Sequence, residues 1–164
     1  MMASSSFLRT AAGVICLVLL SASGAAAQQS WQPSPFPDES DKAVMGCSES
    51  TNEEAWTCLA VRCEPDGSLA LYAELTNLTL DDEFTLVMGG ERFAVSGRSR
   101  EESAPYSNRL DGDVEAIVTA IKGSDVVFID RPHYPLTPGF DIIPLRGAAE
   151  LIGALEAQCA ASRP

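Results

Sequence analysis

The sequence predicts an α+β domain in which an antiparallel β-sheet, built from hairpins, packs against two helices and is stapled by disulfides. The predicted elements follow in the order hairpin, hairpin, helix, strand, strand, helix, and strands first with helices later favour α+β. The turn Glu64–Gly67 joins two strands whose apolar residues share one face. Behind a predicted leader the chain holds four cysteines, an even number that indicates a disulfide framework in an exported protein.

The first 27 residues predict a secretory signal peptide. Arg9 supplies its positive charge, Ala11–Leu20 its apolar core and Ala25–Ala27 its small-residue cleavage site. The apolar core is too short for a membrane span, which needs about 20 residues. We therefore expect cleavage after Ala27, a mature chain that begins at Gln28 and has no membrane span, and a periplasmic or secreted location.

The composition is acidic, with a formal net charge of −12 at pH 7, or −13 once Arg9 is removed. Such a surface repels nucleic acid and anionic lipid headgroups, so we expect neither as a partner. The acidic groups Asp81–Glu83 and Asp111–Asp113 lack the spacing of a calcium-binding EF-hand loop. The acidity therefore indicates solubility rather than a calcium site.

The first hairpin is predicted from strands Thr57–Cys63 and Ser68–Leu75 around a three-residue loop. Proline and aspartate suit the central positions of a type I turn, and Gly67 suits the left-handed position that follows. Side chains alternate along a strand, so this loop fixes the register and places one largely apolar set on one face. The predicted pairs are Cys63–Leu69, Val61–Leu71, Leu59–Ala73 and Thr57–Leu75.

The four cysteines Cys47, Cys58, Cys63 and Cys159 allow three disulfide connectivities. Cys58 and Cys63 lie about 16 Å apart along one strand, beyond the Cα separation of about 7 Å that a disulfide tolerates. Cys63 shares the apolar face on which a helix would pack, which favours Cys63–Cys159 and Cys47–Cys58. A zinc site is the alternative, but without a Cys-x-x-Cys pair or a nearby histidine we predict no metal.

Residues 28–46 are predicted to form an extended, proline-rich tail before a single domain at 47–164, and positions 41–52 a loop. Trp31 and Phe36 are the large apolar residues of this tail, and they could dock on the domain or on a partner. After the first hairpin, Phe84–Met88 and Glu91–Gly97 flank a Gly-Gly turn that suits a second hairpin. Its predicted register pairs Leu86 with Phe93 and Phe84 with Val95.

Two helices and two strands complete the prediction. Asp113 caps a first helix that Gly123 ends at the C′ position, Asp125–Asp130 is a buried strand and Phe140–Leu145 is the last strand. The final helix is predicted over Gly147–Cys159. The apolar stripes of the two helices are Val114, Ile117, Val118 and Ile121, and Ala148, Leu151, Ile152, Leu155 and Cys159.

Two polar connections are the candidate binding surface. Gly97–Leu110 is the longest and concentrates cations, and Arg131–Gly139 is rich in proline. Arginine forks match the geometry of carboxylates, and connections often carry function. We therefore predict contacts with an acidic or carboxylate-bearing partner, against the alternative of a solvated surface with weak local ion pairs. The candidate contact residues are Arg98, Arg100, Tyr106, Arg109, His133 and Tyr134.

The sequence offers no catalytic signature, so we predict neither enzymatic activity nor a cofactor. His133 is the chain's single histidine, and no Gly-x-Ser-x-Gly elbow, phosphate loop or dinucleotide fingerprint occurs. The cysteines are assigned to disulfides, which leaves no nucleophilic thiol. Two alternatives stay open: a small hydrolase that uses paired carboxylates, and an inhibitor that plugs the active site of a foreign hydrolase.

The C-terminal segment Phe140–Gly147, followed by Ile152, Leu155 and Cys159, resembles the ending of small exported proteins of the invasion-associated locus B family. It is also similar to endings of envelope proteins associated with type VI secretion. The opening Trp56-Thr57-Cys58 and the strand cysteine Cys63 look similar too. The resemblance implies a β-rich domain of the bacterial envelope with an accessory or host-interaction role. Taken together, the sequence predicts a non-catalytic accessory protein that binds an envelope or extracellular protein.

Overall fold

A computed structural model describes residues 30–51, 56–75, 83–99, 105–132 and 141–162. Within these residues, nine strands form an antiparallel sheet in the order β1-β2-β3-β4-β7-β6-β5-β8-β9, with two helices packed on one of its faces. The fold is α+β as predicted, but its sheet is large and its helices are small. The elements are β1 Trp31–Pro33, β2 Ala43–Cys47, β3 Thr57–Cys63, β4 Leu69–Leu75, β5 Glu83–Met88, β6 Glu91–Ser99, β7 Asn108–Asp111, α1 Val114–Gly123, β8 Val126–Asp130, β9 Ile142–Pro144 and α2 Ala148–Ala161.

Both predicted hairpins form in the predicted registers. In the β3–β4 hairpin Cys63 pairs with Leu69 and Thr57 with Leu75, and Gly67 has a φ of 76° in the turn. The β5–β6 hairpin pairs Leu86 with Phe93 and Phe84 with Val95, and both glycines of its turn have positive φ. Turn chemistry that acts within a few residues therefore fixes the register of four strands.

The helices begin where the sequence predicts. The Asp113 side chain accepts a hydrogen bond of 3.1 Å from the Ala116 amide and so caps α1. Gly123 is the last residue of α1, and Ser124 leaves the helix in an extended conformation rather than through a left-handed C′ residue. Gly147 does adopt a left-handed φ of 86° just before α2. The stripe that α2 buries consists of Ala148, Ile152, Leu155 and Cys159.

The main core lies between the helices and the face of the sheet that the apolar registers predict. Leu59, Val61 and Leu71 contribute from the first hairpin, and Leu86 from the second; each is fully buried. Removing this apolar surface from water is the main favourable term in folding. The helical residues of the same cluster are Ile117, Val118, Ile121, Ala148, Ile152 and Leu155.

Two disulfides tie the fold together, in the connectivity that the sequence favours. Cys63 on β3 bonds to Cys159 in the last turns of α2, with Cα atoms 5.6 Å apart and a sequence separation of 96. Cys47 bonds to Cys58 directly across the β2–β3 pair, with a sequence separation of 11. The first bond fixes the final helix to the sheet, and the second joins two neighbouring strands.

The prediction of a tail at 28–46 is wrong from Trp31 onwards, because that segment forms β1 and β2. Trp31 is fully buried, and β1 pairs with β2, which pairs in turn with β3. The amide of Ser34 donates to the carbonyl of Ala43, so the nitrogen of Pro33 faces away from β2. A proline is compatible with an edge strand at such a position.

The first and last strands of the sheet meet at a seam, which we define as the gap between β1 and β9. The Trp31 indole Nε1 donates to the Pro144 carbonyl at 3.1 Å. The Ser30 hydroxyl lies 2.9 Å from the same oxygen and 3.1 Å from the Arg146 carbonyl oxygen. These side-chain bonds, rather than a ladder of backbone bonds, bring the two ends of the sheet together.

A substitution at Gly46 tests the packing of Trp31. Gly46 pairs with Trp31 across β1 and β2, and a Cβ added there would overlap the indole. We expect Gly46→Ala to lower the free energy of unfolding, measured in urea, by about 1–3 kcal/mol. The control is Gly153→Ala, where no atom lies within 4 Å of the new Cβ, and helix propensity predicts a gain of about 0.5–1 kcal/mol. An unchanged Gly46→Ala protein would contradict this account of the indole.

Removing each disulfide by paired Cys→Ala substitutions should separate their contributions to stability. In the loop-entropy relation, closing 96 residues stabilises by about 5 kcal/mol and closing 11 residues by about 3 kcal/mol. The Cys63–Cys159 pair should therefore cost more when it is lost. Denaturant unfolding of the two double variants measures the difference. A larger loss for the Cys47–Cys58 variant would show that chain entropy does not dominate.

Candidate functional site

The structure shortens the predicted polar connection 97–110, because both of its ends are strands. β6 continues to Ser99, and β7 forms over Asn108–Asp111 between β6 and β4. A four-residue strand with charged residues on its exposed side carries too little hydrophobic pattern to be predicted. Arg100 lies outside the described residues, so its predicted role stays a prediction.

Arg98 and Arg109 lie opposite each other across β6 and β7, and both side chains are exposed. Two atoms of the Arg98 guanidinium, Nε and Nη2, each lie 2.5 Å from an oxygen of Asp111. Among the described residues Arg109 makes no ion pair, and its other neighbour across the sheet is Tyr72 on β4. Two positive charges thus face each other, and a carboxylate is paired with only one of them, Arg98. We call these two residues the arginine pair.

Tyr106 is removed from the candidate contact residues, because it is fully buried. Its hydroxyl donates to the Ser34 hydroxyl at 2.8 Å. Its ring lies 5.2 Å from that of Phe36 in an edge-on arrangement and 5.0 Å from that of Tyr72, measured between ring centroids. Tyr106 therefore belongs to a core, and burial raises its pKa to about 12.

That core is a second apolar cluster, on the face of the sheet opposite the helices. The sequence shows this outer face of β3 and β4 as a mixture of small, charged and aromatic residues. Residues 34–42 and Tyr106 cover it, so both faces of this half of the sheet are buried. Apart from Tyr106, its buried members are Ala43, Met45, Cys58, Ala60, Ala70 and Tyr72, with Phe36 and Cys47 partly buried against them.

A charged network holds residues 34–42 on the outer face. Arg62 donates to both carboxylate oxygens of Glu39, at 2.7 and 3.1 Å, and to Glu64 at 3.0 Å. The Tyr72 hydroxyl donates to the same Glu64 oxygen at 2.9 Å. The hydrogen bond to Glu39 is the main reason that the pKa of Arg62 is raised, with burial acting in the opposite direction. A bidentate pair this little exposed has a positioning role in the fold.

The buried carboxylates of the described chain are all engaged. Glu39 binds Arg62, and Glu74 accepts from the Ser107 amide and from the Ser107 hydroxyl at 2.5 Å. Asp141 accepts from Arg131 at 2.7 Å. Each carboxylate thus holds a strand end or a connection in place. In the same part of the chain, no group of three or more histidine, cysteine or acidic residues is arranged to hold a metal.

The second predicted connection, 131–139, is described only at Arg131 and Pro132. The Arg131 side chain forms an ion pair with Asp141 and is little exposed. His133 and Tyr134 lie outside the described residues and stay predictions.

A cleft of about 580 Å³ lies at the seam, and sequence analysis missed it. Val126 on β8 pairs with Pro144 on β9, and with Ile142 these partly buried side chains form an apolar floor. Arg146 and Glu49 are charged lining residues contributed by opposite ends of the sheet. We call this space the seam cleft. No sequence signal could have revealed it, because 97 positions separate those two residues.

Comparisons of the chain with known protein families, curated proteins and solved structures found no match. In the described chain, neither helix has the length and apolarity that crossing a bilayer requires.

The burial of Tyr106 predicts a loss of stability in alkali. Its pKa is about 12 in the folded protein and about 10 when unfolded, so the unfolded chain releases the proton first. This contribution is fully present below pH 10 and is lost as the pH rises to 12. When the pH is raised from 8.5 to 11, we expect the free energy of unfolding of Tyr106→Phe to fall by about 1 kcal/mol less than that of the parent protein. Urea unfolding at both pH values measures this, and identical losses would contradict it.

Proposed function

We propose that this protein is a non-catalytic binding protein of the periplasm or the extracellular space, which contacts an acidic or carboxylate-bearing protein through the arginine pair. The observation that carries the proposal is the apposition of Arg98 and Arg109 on neighbouring strands. Like charges directly opposite each other destabilise a sheet. Asp111 offsets the charge of Arg98, and a partner carboxylate would do the same for Arg109.

The chemistry of the pair supports a carboxylate as its target. A guanidinium presents a planar fork of donors that matches a carboxylate with two parallel hydrogen bonds. Both arginines are exposed on regular strands, and side chains on such elements are held more precisely than side chains on loops. The chain as a whole is strongly acidic, so the positive charge of the arginine pair is opposite in sign to the net charge of the protein. The pair therefore attracts a carboxylate at short range.

The two disulfides fit a protein outside the cytoplasm, because thiols there are oxidised and persist as disulfides. The signal peptide at 1–27 lies outside the described residues, so export through it and the choice between periplasm and secretion are part of the proposal. The resemblance to the invasion-associated locus B family likewise remains a prediction, and an envelope accessory role agrees with it.

The two alternatives have less support. A hydrolase needs a carboxylate that is free to act as acid or base, and the buried carboxylates Glu39, Glu74 and Asp141 already hold hydrogen-bond donors. An inhibitor needs a protruding segment that enters a foreign active site, and no described feature favours one. Both remain predictions from sequence.

A matched pair of charge reversals tests the proposal. Arg109→Glu alters the arginine pair, and Arg92→Glu makes the same charge change at another exposed position on the outer face, where Arg92 binds Asp130 at 2.6 Å. We expect Arg109→Glu to weaken binding to a partner purified from envelope extract at least tenfold. Arg92→Glu should change it less than threefold. Binding should also weaken as salt is raised, because the contact is between charges.

Stability measurements distinguish lost binding from misfolding. Arg109→Glu replaces a repulsive cross-strand pair with an attractive one, so its free energy of unfolding should stay the same or rise by about 0.2–1 kcal/mol. Equal binding by the parent protein and Arg109→Glu would contradict the proposal. Equal weakening by Arg109→Glu and Arg92→Glu would point to the overall charge of the protein instead of the arginine pair.

A further inference from the structure

The seam cleft exists because the two ends of the sheet approach without a ladder of backbone bonds. Ser30 and Trp31 bridge β1 to the carbonyls of Pro144 and Arg146. Beside this bridge the cleft is open to solvent, with a volume of about 580 Å³. Sites for small molecules commonly occupy about 300–1,000 Å³, so the cleft is large enough for a ligand of about two or three amino-acid residues.

The floor of the seam cleft is apolar. Val126 and Pro144 are paired residues of β8 and β9, and Ile142 lies two positions before Pro144. Side chains alternate along a strand, so all three lie on the outer face. They are partly buried and line the cleft together. An aliphatic side chain placed on them would be removed from water, which favours binding.

The charged residues that line the cleft include both signs, and within the described chain they are not paired with one another or with other charges. Glu49, Asp125 and Arg146 line it, all three are exposed, and none has an ion pair among the described residues. Elsewhere in that part of the chain, carboxylates pair with four arginines, which are Arg62, Arg92, Arg98 and Arg131. A ligand that complements this lining carries one carboxylate, one ammonium group and an apolar body.

We propose that the seam cleft binds a short apolar peptide with free ends. The ligand's carboxylate binds the Arg146 guanidinium, its ammonium group lies by Glu49 and Asp125, and its side chains rest on Val126 and Ile142. This proposal concerns a different surface from the arginine pair and does not rest on the protein-binding function. It assigns a small-molecule site to a chain whose sequence shows none.

Four forms of one probe test the recognition of both ends. The probe is the dipeptide Leu-Leu, compared with its N-acetyl form, its C-terminal amide and the form with both caps. In titrations followed by amide NMR of the full mature chain, free Leu-Leu should shift the signals of Val126, Ile142 and Arg146, with a Kd of about 0.1–1 mM. Each cap should weaken binding about fivefold, because each removes one charge contact made in a partly dry cleft.

Substitutions in the cleft test which residue recognises each end of the dipeptide. Arg146→Gln should bind the free dipeptide about fivefold more weakly and should no longer distinguish acid from amide. Glu49→Gln combined with Asp125→Asn should no longer distinguish the free amine from its acetylated form. Arg92→Gln is the control, since Arg92 is an exposed arginine outside the cleft, and it should leave all four affinities unchanged.

Three results would overturn the proposal. One is the absence of any shift at the cleft residues up to 20 mM Leu-Leu, a limit about twentyfold above the weakest expected Kd. Another is equal binding of the four probes, which would show an apolar hollow without charge recognition. The third is a cap preference that survives Arg146→Gln and the Glu49–Asp125 double variant. Arg109→Glu should not change dipeptide binding, so this site and the arginine pair can fail independently.

Discussion

The whole sheet depends on one close contact, in which the indole of Trp31 lies over Gly46 and donates to the carbonyl of Pro144. An open sheet of nine strands has two edges with unpaired backbone groups, which are a liability for aggregation. In this protein the edges carry Pro33 and Pro144 and lie beside each other. The arrangement brings both edges together, with the helices packed on one face of the sheet. The seam cleft is the space that this closure does not fill.

The parts of the fold that the sequence predicts are those decided over short distances. The turn at Gly67 and the two glycines after Met88 fix two hairpins, and Asp113 fixes the start of α1. The strands β1, β2 and β7 escaped prediction because they are short, and their burial comes from distant segments. Trp31 is buried against Gly46 and bonded to the last strand, and the outer face of β3 and β4 is covered by residues 34–42. The hydrophobic periodicity of a single segment does not reveal which distant segment will pack against it.

The candidate sites divide in the same way. Arg98 and Arg109 stand out in the sequence as cations in an acidic chain, but their apposition follows from the register of β7. Tyr106 shares the same polar segment, and its burial depends on Phe36 and Ser34, some 70 positions earlier. Composition identified the charged residues correctly, whereas only tertiary structure separates an exposed arginine from a buried tyrosine.

The bond between Trp31 and Pro144 spans 113 positions of the chain, and this length orders the events of folding. Contacts between neighbouring segments form early because they close small loops, while a contact between the two ends must wait until everything in between is compact. The hairpins can therefore nucleate the domain, and the junction of the first and last strands completes it. The closure of the sheet thus depends on the folding of every segment between its two ends, including β3, the strand that carries one cysteine of each disulfide.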